Sequence, residues 1–297
     1  MEFLRPATWA DALAAKAEYP AAVPIAGGTD VMVELNFDRR RPSALLDLTR
    51  VRELAGWAPD GAMIRVGAAV TYRRIIDELG QRLPGLAMAA RTVGSPQIRN
   101  RGTVGGNLGS ASPAGDAHPP LLAAEAVVEL ASVRGVRQVP VAQFFIGPKR
   151  SVLAPDELIA AFRLAPAGGP QQFAKVGTRN AMVIAVCSFA VALHPERQTV
   201  RTGIGSAAPT PLRAVEAERF AEAELAARWD APGRDLPSQV LVRFGELVAA
   251  AAAPIDDVRG TAAYRRHALS VLARRTLRWA WDEHAGAHRP GDRGMST

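Results

Sequence analysis

Apolar and polar positions along this chain alternate between two periods, and the changes of period divide it into units. Thr8-Trp9-Ala10-Asp11 offers a capping hydroxyl ahead of an alanine-rich stretch to Ala17, which predicts a first helix. The apolar run Ala22-Val23-Pro24-Ile25 predicts a strand. Val31-Met32-Val33-Glu34-Leu35 then starts a helix with Thr29 or Asp30 as its cap, and Ala44-Leu45-Leu46-Asp47-Leu48 reads as a second strand, so that a small α/β unit ends near Gly56. A larger unit begins with a strand at Met63-Ile64-Arg65-Val66. Thr71 caps a helix running through Leu79, and a further helix carries Leu86 and Ala90. Val127 to Leu130 and Val136 to Val139 flank Arg134-Gly135 as a hairpin, Leu158 to Leu164 supplies another strand, and Pro166-Ala167-Gly168-Gly169-Pro170 closes the unit. Beyond it, Phe173 to Val176, Val183 to Leu193 and Val200 to Ile204 predict antiparallel strands, followed by helices from Leu212 onward. In the last helix Tyr264, Ala268, Val271 and Leu272 form an apolar stripe and are predicted core, with Arg266 and Arg274 away from it. The tail from Gly286, rich in Gly, Pro, Arg and Asp, is predicted to be mobile.

Composition narrows the function classes. A chain of 297 residues with 48% hydrophobic content can bury a substantial core in two or three domains. It contains no run of about eighteen apolar residues, and Met1-Glu2-Phe3-Leu4-Arg5 has neither a basic nor an apolar leader segment, so a cytoplasmic chain without a membrane span is expected. Cys187, the single cysteine, lies in the apolar stretch Val183 to Phe189 and is expected to be a buried small hydrophobe; one cysteine cannot hold an iron–sulfur cluster. The net charge of +7 is carried almost entirely by arginine, because Lys16, Lys149 and Lys175 are the only lysines. The densest run, Arg39-Arg40-Arg41, has one aromatic neighbour, Phe37, too little for a base-stacking platform, so a solvated loop or subunit-contact patch is expected, and the charge supports docking of an acidic partner as readily as nucleic acid. His118, His194 and His267 are isolated, and His284 with His288 abuts the Gly- and Pro-rich tail, so no metal site is expected. The absence of G-x-S-x-G removes the usual presentation of a nucleophilic serine.

Two glycine-rich turns carry the candidate chemistry: Ile25-Ala26-Gly27-Gly28-Thr29-Asp30 and Gly102-Thr103-Val104-Gly105-Gly106-Asn107. Paired glycines let backbone N–H groups converge on an anion without Cβ obstruction, and the start of a helix adds a favourable dipole. Two such turns could grip one diphosphate from both sides. Neither is a G-x-G-x-x-G fingerprint and no G-x-x-x-x-G-K-[ST] occurs, so the Rossmann and P-loop readings lack their defining residues.

Ala26-Gly27-Gly28-Thr29-Asp30, the run Ile98-Arg99-Asn100-Arg101-Gly102-Thr103-Val104-Gly105-Gly106-Asn107-Leu108, and Ser112-Pro113-Ala114-Gly115-Asp116 together resemble the FAD-binding medium subunit of the molybdenum hydroxylases, the family of xanthine dehydrogenases and aerobic carbon monoxide dehydrogenases. The resemblance continues through Phe3-x-x-Pro6, Lys175-Val176-Gly177-x-Arg179 and Asp257-x-Arg259-Gly260-x-Ala262-x-Tyr264-Arg265-Arg266, and so spans almost the whole chain. It implies an α+β fold: a two-lobed FAD-binding domain of the vanillyl-alcohol-oxidase-like type, with lobes at 1–56 and 57–170, then a C-terminal α+β domain at 171–285 with a small antiparallel sheet and helices, and a tail at 286–297.

The resemblance also implies a site. Pro24, Ile25, Ala26, Gly27, Gly28, Thr29, Asp30 and Val31 would form the first diphosphate cradle, and Thr103, Val104, Gly105, Gly106 and Asn107 the second, with the side chains of Thr29, Thr103 and Asn107 adding hydrogen bonds. Asp116 matches the position that binds the polyol hydroxyls; as a carboxylate it should stand away from both cradles, and its alternative role is to cap a helix from His118 to Glu125. Val93 and Ile159 match apolar positions packing on the flavin ring, or are plain core. Lys175 matches a lysine near the flavin, or is an exposed strand lysine. The flavin would do the redox chemistry, with molybdopterin on a large partner subunit, [2Fe-2S] clusters on a small one, and a dimer of heterotrimers as the assembly. Xanthine is the first expectation for the substrate, with carbon monoxide and aromatic or N-heterocyclic compounds as alternatives. A noncatalytic nucleotide- or nucleic-acid-binding module and an autonomous flavin oxidase are the readings from other classes. Arg179-Asn180-Ala181-Met182-Val183 departs from the family, whose members often place an acidic residue here, and this leaves NAD and other acceptors both open.

Overall fold

The computed structural model describes residues 1–230 and 235–287. The chain opens with β1 (Glu2–Leu4), α1 (Trp9–Glu18), β2 (Val23–Ile25), α2 (Val31–Asn36) and β3 (Ala44–Asp47), whose three strands form a parallel sheet in the order β1-β3-β2. β4 (Trp57–Asp60) and β5 (Met63–Gly67) lead into four short helices, α3 (Tyr72–Glu78), α4 (Pro84–Thr92), α5 (Pro96–Arg101) and α6 (Val104–Ser110). After α7 (His118–Ala123) come β6 (Val127–Ser132), β7 (Gly135–Pro140), α8 (Val141–Phe144), β8 (Phe145–Gly147), β9 (Arg150–Ser151) and β10 (Leu158–Leu164). A five-stranded antiparallel sheet results, in the order β4-β5-β10-β6-β7, with β8 and β9 as a separate hairpin. The remainder is a three-stranded antiparallel sheet, β11 (Gln171–Val176), β12 (Cys187–His194) and β13 (Thr199–Gly205), backed by α9 (Val215–Leu225), α10 (Ser238–Ala251) and α11 (Ala262–Ala287).

Side-chain caps fix the starts of four of the helices, α1, α3, α5 and α6. The Thr8 hydroxyl accepts from the Asp11 amide at 3.1 Å, Thr71 from Arg74 at 3.3 Å, Ser95 from Ile98 at 3.3 Å and Thr103 from Gly106 at 2.9 Å. Each satisfies one of the amides that a first turn leaves without an intrahelical partner. At α2 the predicted cap is only half realised, because Asp30 occupies the capping position without a side-chain bond.

The first two sheets share one hydrophobic cluster, in which Ala12, Leu46 and Leu54 join Ile64, Val66, Leu130 and Phe162. A second cluster, around Phe189, Phe244, Leu269 and Trp281, lies between the last sheet and α9 to α11. Ala89, Ala123, Phe173 and Ala190 form a small third one.

Three local expectations are corrected. Tyr264, placed in the core by the apolar stripe, is 48% exposed, whereas Arg265 beside it is only 3% exposed. The reason is at the start of α11, where Arg265 reaches the carbonyls of Val186 (2.9 Å) and Ser206 (2.6 Å) and the Asp257 carboxylate (2.5 Å), turning Tyr264 outward. The strand expected from Val183 begins at Cys187, with Ile184 left exposed. The helix α11 continues through Gly286 to Ala287; the rest of the expected tail, with His288, lies outside the described residues. Among the described residues no helix is long and apolar enough to cross a membrane.

Candidate functional site

The two glycine turns meet. Leaving β2, the chain is fixed by the Leu48 amide donating to the Ile25 carbonyl at 2.9 Å, turns through Ala26 to Asp30 and enters α2 at Val31. Gly28 has φ +76°, a conformation costly for any residue with a Cβ, and its carbonyl accepts from the Met32 amide at 3.0 Å. Gly27 lies flat against the backbone of the other turn, so a Cβ on it would run into the Arg101 carbonyl group. Thr29 Oγ1 lies 3.4 Å from where a Cβ on Gly102 would stand. Among the described residues no backbone carbonyl accepts from the amides of Gly27, Gly28 or Thr29, which remain as donors at this junction.

The second turn is built from its neighbours. Gly105 abuts the backbone of Ala68, leaving no room for a Cβ, and Val104 is fully buried. Gly106 is different: a Cβ there would approach only Thr103 Oγ1, at 3.0 Å, so its other side faces open space. The Thr103 hydroxyl caps α6 by accepting from Gly106. Asn107 is also engaged, since its Oδ1 accepts from the Ala117 amide at 3.3 Å and its carbonyl lies 3.1 Å from His118 Nε2. Burial holds the His118 imidazole down to about 4, so it is neutral at physiological pH. The isolated histidine of the sequence thus ties the second turn to the loop bearing Asp116.

Asp116 and Lys175, 59 residues apart, form a buried ion pair, with Lys175 Nζ 2.6 Å from Asp116 Oδ2 and 3.0 Å from the Thr92 carbonyl. Their side chains are only 10% and 7% exposed, so Lys175 is not an exposed strand lysine. Nor is Asp116 a cap: α7 begins after Ala117 without a side-chain capping bond. Burial raises the Asp116 carboxyl above the usual carboxylate range, against the lowering by Lys175. Its Oδ1 is buried without a hydrogen-bond partner, and so is the Tyr72 hydroxyl. Thr92 stands close to Asp116 but donates its hydroxyl to the Ala89 carbonyl at 2.8 Å.

Val93 ends α4 beside Thr92, half-buried, with its carbonyl accepting from Arg99 Nη1 at 3.0 Å. Ile159 is buried at the β10 bulge, its Cδ1 3.7 Å from the place of a Cβ on Gly109 of α6. Tyr72, His118 and Gly115 were not among the sequence candidates. Gly115 was hidden because its need for glycine comes from the His118 ring, into which a Cβ would project. Across the departure from the family pattern, Arg179 folds back on its own loop and donates to the carbonyls of Ala181, at 3.1 Å, and Met182. Chemically, the junction combines amide donors, an open glycine face and a buried carboxylate oxygen seeking a donor, a set suited to a diphosphate and an adjoining hydroxyl.

Comparison with known proteins gives the family. Residues 1–166 match the FAD-binding domain in molybdopterin dehydrogenase, and residues 172–280 match the C-terminal domain of the carbon monoxide dehydrogenase flavoprotein. The xanthine dehydrogenase FAD-binding subunit of Escherichia coli O157:H7 is 34% identical over 284 residues, covering 92% of this chain and 93% of its own. The nicotinate dehydrogenase FAD-subunit of Eubacterium barkeri is 34% identical over 210 residues, 68% of this chain and 71% of its own. A solved chain of carbon monoxide dehydrogenase from Hydrogenophaga pseudoflava superposes with a TM-score of 0.86 at 27% identity, over 95% of this chain and 98% of that one.

Proposed function

We propose, since the chain belongs to the FAD-binding subunits of the molybdenum hydroxylases, that it is the electron-transfer flavoprotein of a xanthine dehydrogenase-type complex. It is an oxidoreductase subunit and its cofactor is FAD. FAD, when bound, supplies redox chemistry in one- or two-electron steps. A partner subunit carrying molybdopterin oxidises the substrate and a second partner carrying iron–sulfur clusters delivers the electrons.

The residues fit the cofactor. One observation carries the reading: the two glycine turns close on each other at Gly27 and Arg101 while the free amides of Gly27, Gly28 and Thr29 and the open face of Gly106 stay available to a diphosphate. On this reading Pro24 to Val31 and Thr103 to Asn107 hold the diphosphate mainly through backbone groups. The hydroxyl oxygen of Thr103 and the Oδ1 of Asn107 accept bonds within the architecture, so Thr103 through its O–H and Asn107 through its Nδ2 act as side-chain donors beside Thr29. Asp116 Oδ1 takes a polyol hydroxyl, and Val93 and Ile159 flank the ring. Lys175 acts chiefly through Asp116, whose charge it balances. Xanthine rests on the 34% identity over nearly the whole length; nicotinate and carbon monoxide complexes use relatives of the same fold, and the substrate would contact another subunit. NAD stays one candidate acceptor beside others.

Anaerobic mixing of the FAD-loaded chain with xanthine tests the reading. The flavin should stay oxidised with this chain alone and bleach once the iron–sulfur and molybdopterin partners are added. Rapid bleaching without partners would make the chain an autonomous flavin oxidase.

A further inference from the structure

Tyr72 is a large polar side chain that no part of the function above uses. It opens α3, is 3% exposed, and its hydroxyl is buried without a hydrogen-bond partner. Its position is tightly set. The Tyr72 amide donates to the Gly102 carbonyl at 3.0 Å, Thr71 pairs with Thr103 as an antiparallel bridge, and the ring edge lies 3.3 Å from where a Cβ on Gly102 would stand. Thr29 Oγ1 lies 3.4 Å from that same point, so the ring sits under the junction of the two glycine turns. Burial, then the neighbouring carboxylates of Asp116 and Asp30, hold the phenol well above its ordinary range, and it remains an O–H donor at any working pH.

Asp116 Oδ1, within the electrostatic reach of that hydroxyl, is the opposite case: an acceptor with no donor. Buried polar groups are nearly always satisfied, and each one that is not costs roughly 1–3 kcal/mol. Tyr72 and Asp116 do not bond each other; a group placed between them would accept on one side and donate on the other. A hydroxyl does both through a single atom. Resting on the FAD reading above, we propose that Tyr72 is a cofactor-binding residue: its O–H donates to one polyol hydroxyl of the chain joining the flavin ring to the diphosphate, and that hydroxyl donates to Asp116 Oδ1. The pair would then read the linker of the cofactor, which ADP lacks, while the glycine turns read the diphosphate, which ADP keeps.

The full chain, stripped of flavin, is titrated with FAD and with ADP, comparing wild type with Tyr72→Phe, Asp116→Asn and the double variant. Tyr72→Phe should raise the FAD Kd roughly three- to tenfold, the loss of one neutral hydrogen bond. The ADP Kd should not change, and the effects of the two substitutions on FAD should be less than additive, because both act on one hydroxyl. Without flavin, the Tyr72→Phe chain should melt at or above the wild-type temperature, since a partnerless hydroxyl has been removed. Unchanged FAD affinity would overturn the proposal. Equal losses toward FAD and ADP would reduce Tyr72 to a support for the second turn, and a lower melting temperature without flavin would assign its hydroxyl to an internal water; both also overturn it. Failure of the wild-type chain to bind FAD at all would instead sink the reading on which the proposal rests.

Discussion

Gly27 touches the backbone of Arg101 so closely that no side chain fits between them, which makes the junction of the two turns the geometric centre of the site. Gly27→Ala should therefore force the turns apart, at roughly 1–3 kcal/mol for an overpacked contact with backbone that cannot rotate away. Flavin absorbance per protein should fall to near zero while the C-terminal sheet stays folded. Gly106→Ala should be milder in stability, because the new Cβ meets only Thr103 Oγ1 at 3.0 Å. Gly106→Val, which fills the open face, should again abolish flavin retention.

Removing Lys175 leaves Asp116 charged and buried. Lys175→Met should destabilise the chain by roughly 3–5 kcal/mol in urea unfolding near neutral pH, as for other buried pairs that lose one partner. Asp116 already binds its proton above the ordinary carboxylate range, so the folded state gains from acid at this site. The penalty of Lys175→Met should accordingly shrink as pH falls and Asp116 protonates. A penalty independent of pH would show that the lysine acts through packing alone.

Two groups should contribute to acid unfolding in different windows. His118, depressed from 6.5 to about 4 by burial, favours the folded state fully above pH 6.5, and that contribution is lost as pH falls toward 4. At 1.36 kcal/mol per unit the loss is about 3 kcal/mol. Glu125 follows at lower pH: burial raises it, but Arg201 and Arg197 outweigh burial and bring it down to about 2, so its contribution is present above 4.5 and disappears between 4.5 and 2. Glu125 is partly solvated, and its share is correspondingly smaller. Urea midpoints from pH 7 to 2 should flatten in the upper window for a His118→Gln chain and in the lower one for Glu125→Gln.

Cys187 is fully buried in β12 and its thiol is pushed up to about 12 by burial, against a lowering by Arg265. It should resist thiol reagents in the native chain and react once per chain after denaturation. Native reactivity would mean that the sheet β11-β12-β13 opens locally.

The glycine turns, the Thr8 and Thr71 caps and the strand from Leu158 to Leu164 could be read in the sequence because each depends on residues within one turn or one strand. The partners that complete the site could not. Gly27 against Arg101, Asp116 against Lys175 and Tyr72 under Gly102 join positions far apart in the chain, and no periodicity encodes such distances. Lys175 and Asp116 came from family resemblance as separate residues; their pairing is a fact of packing. Tyr264 left its expected place in the core for a similar reason, since the carbonyls of Val186 and Ser206 that hold Arg265 beside it belong to other elements. The strands β1 and β4 escaped notice because each is short and largely exposed.

The hydrophobic cluster that joins Ala12 and Leu46 to Leu130 and Phe162 also imposes an order of events during synthesis. When the first fifty residues leave the ribosome, the surface on which α1 rests, including β6, has not yet been made. At 5–20 residues per second that surface follows on the order of ten seconds later. The first glycine turn therefore spends the early part of that interval without Arg101 to close against, and its parallel sheet is too small to bury its own apolar face. A substitution that weakens β10, such as Phe162→Ala, should on this account lengthen the exposure of the nascent N-terminal strands and lower soluble yield before it alters the finished site.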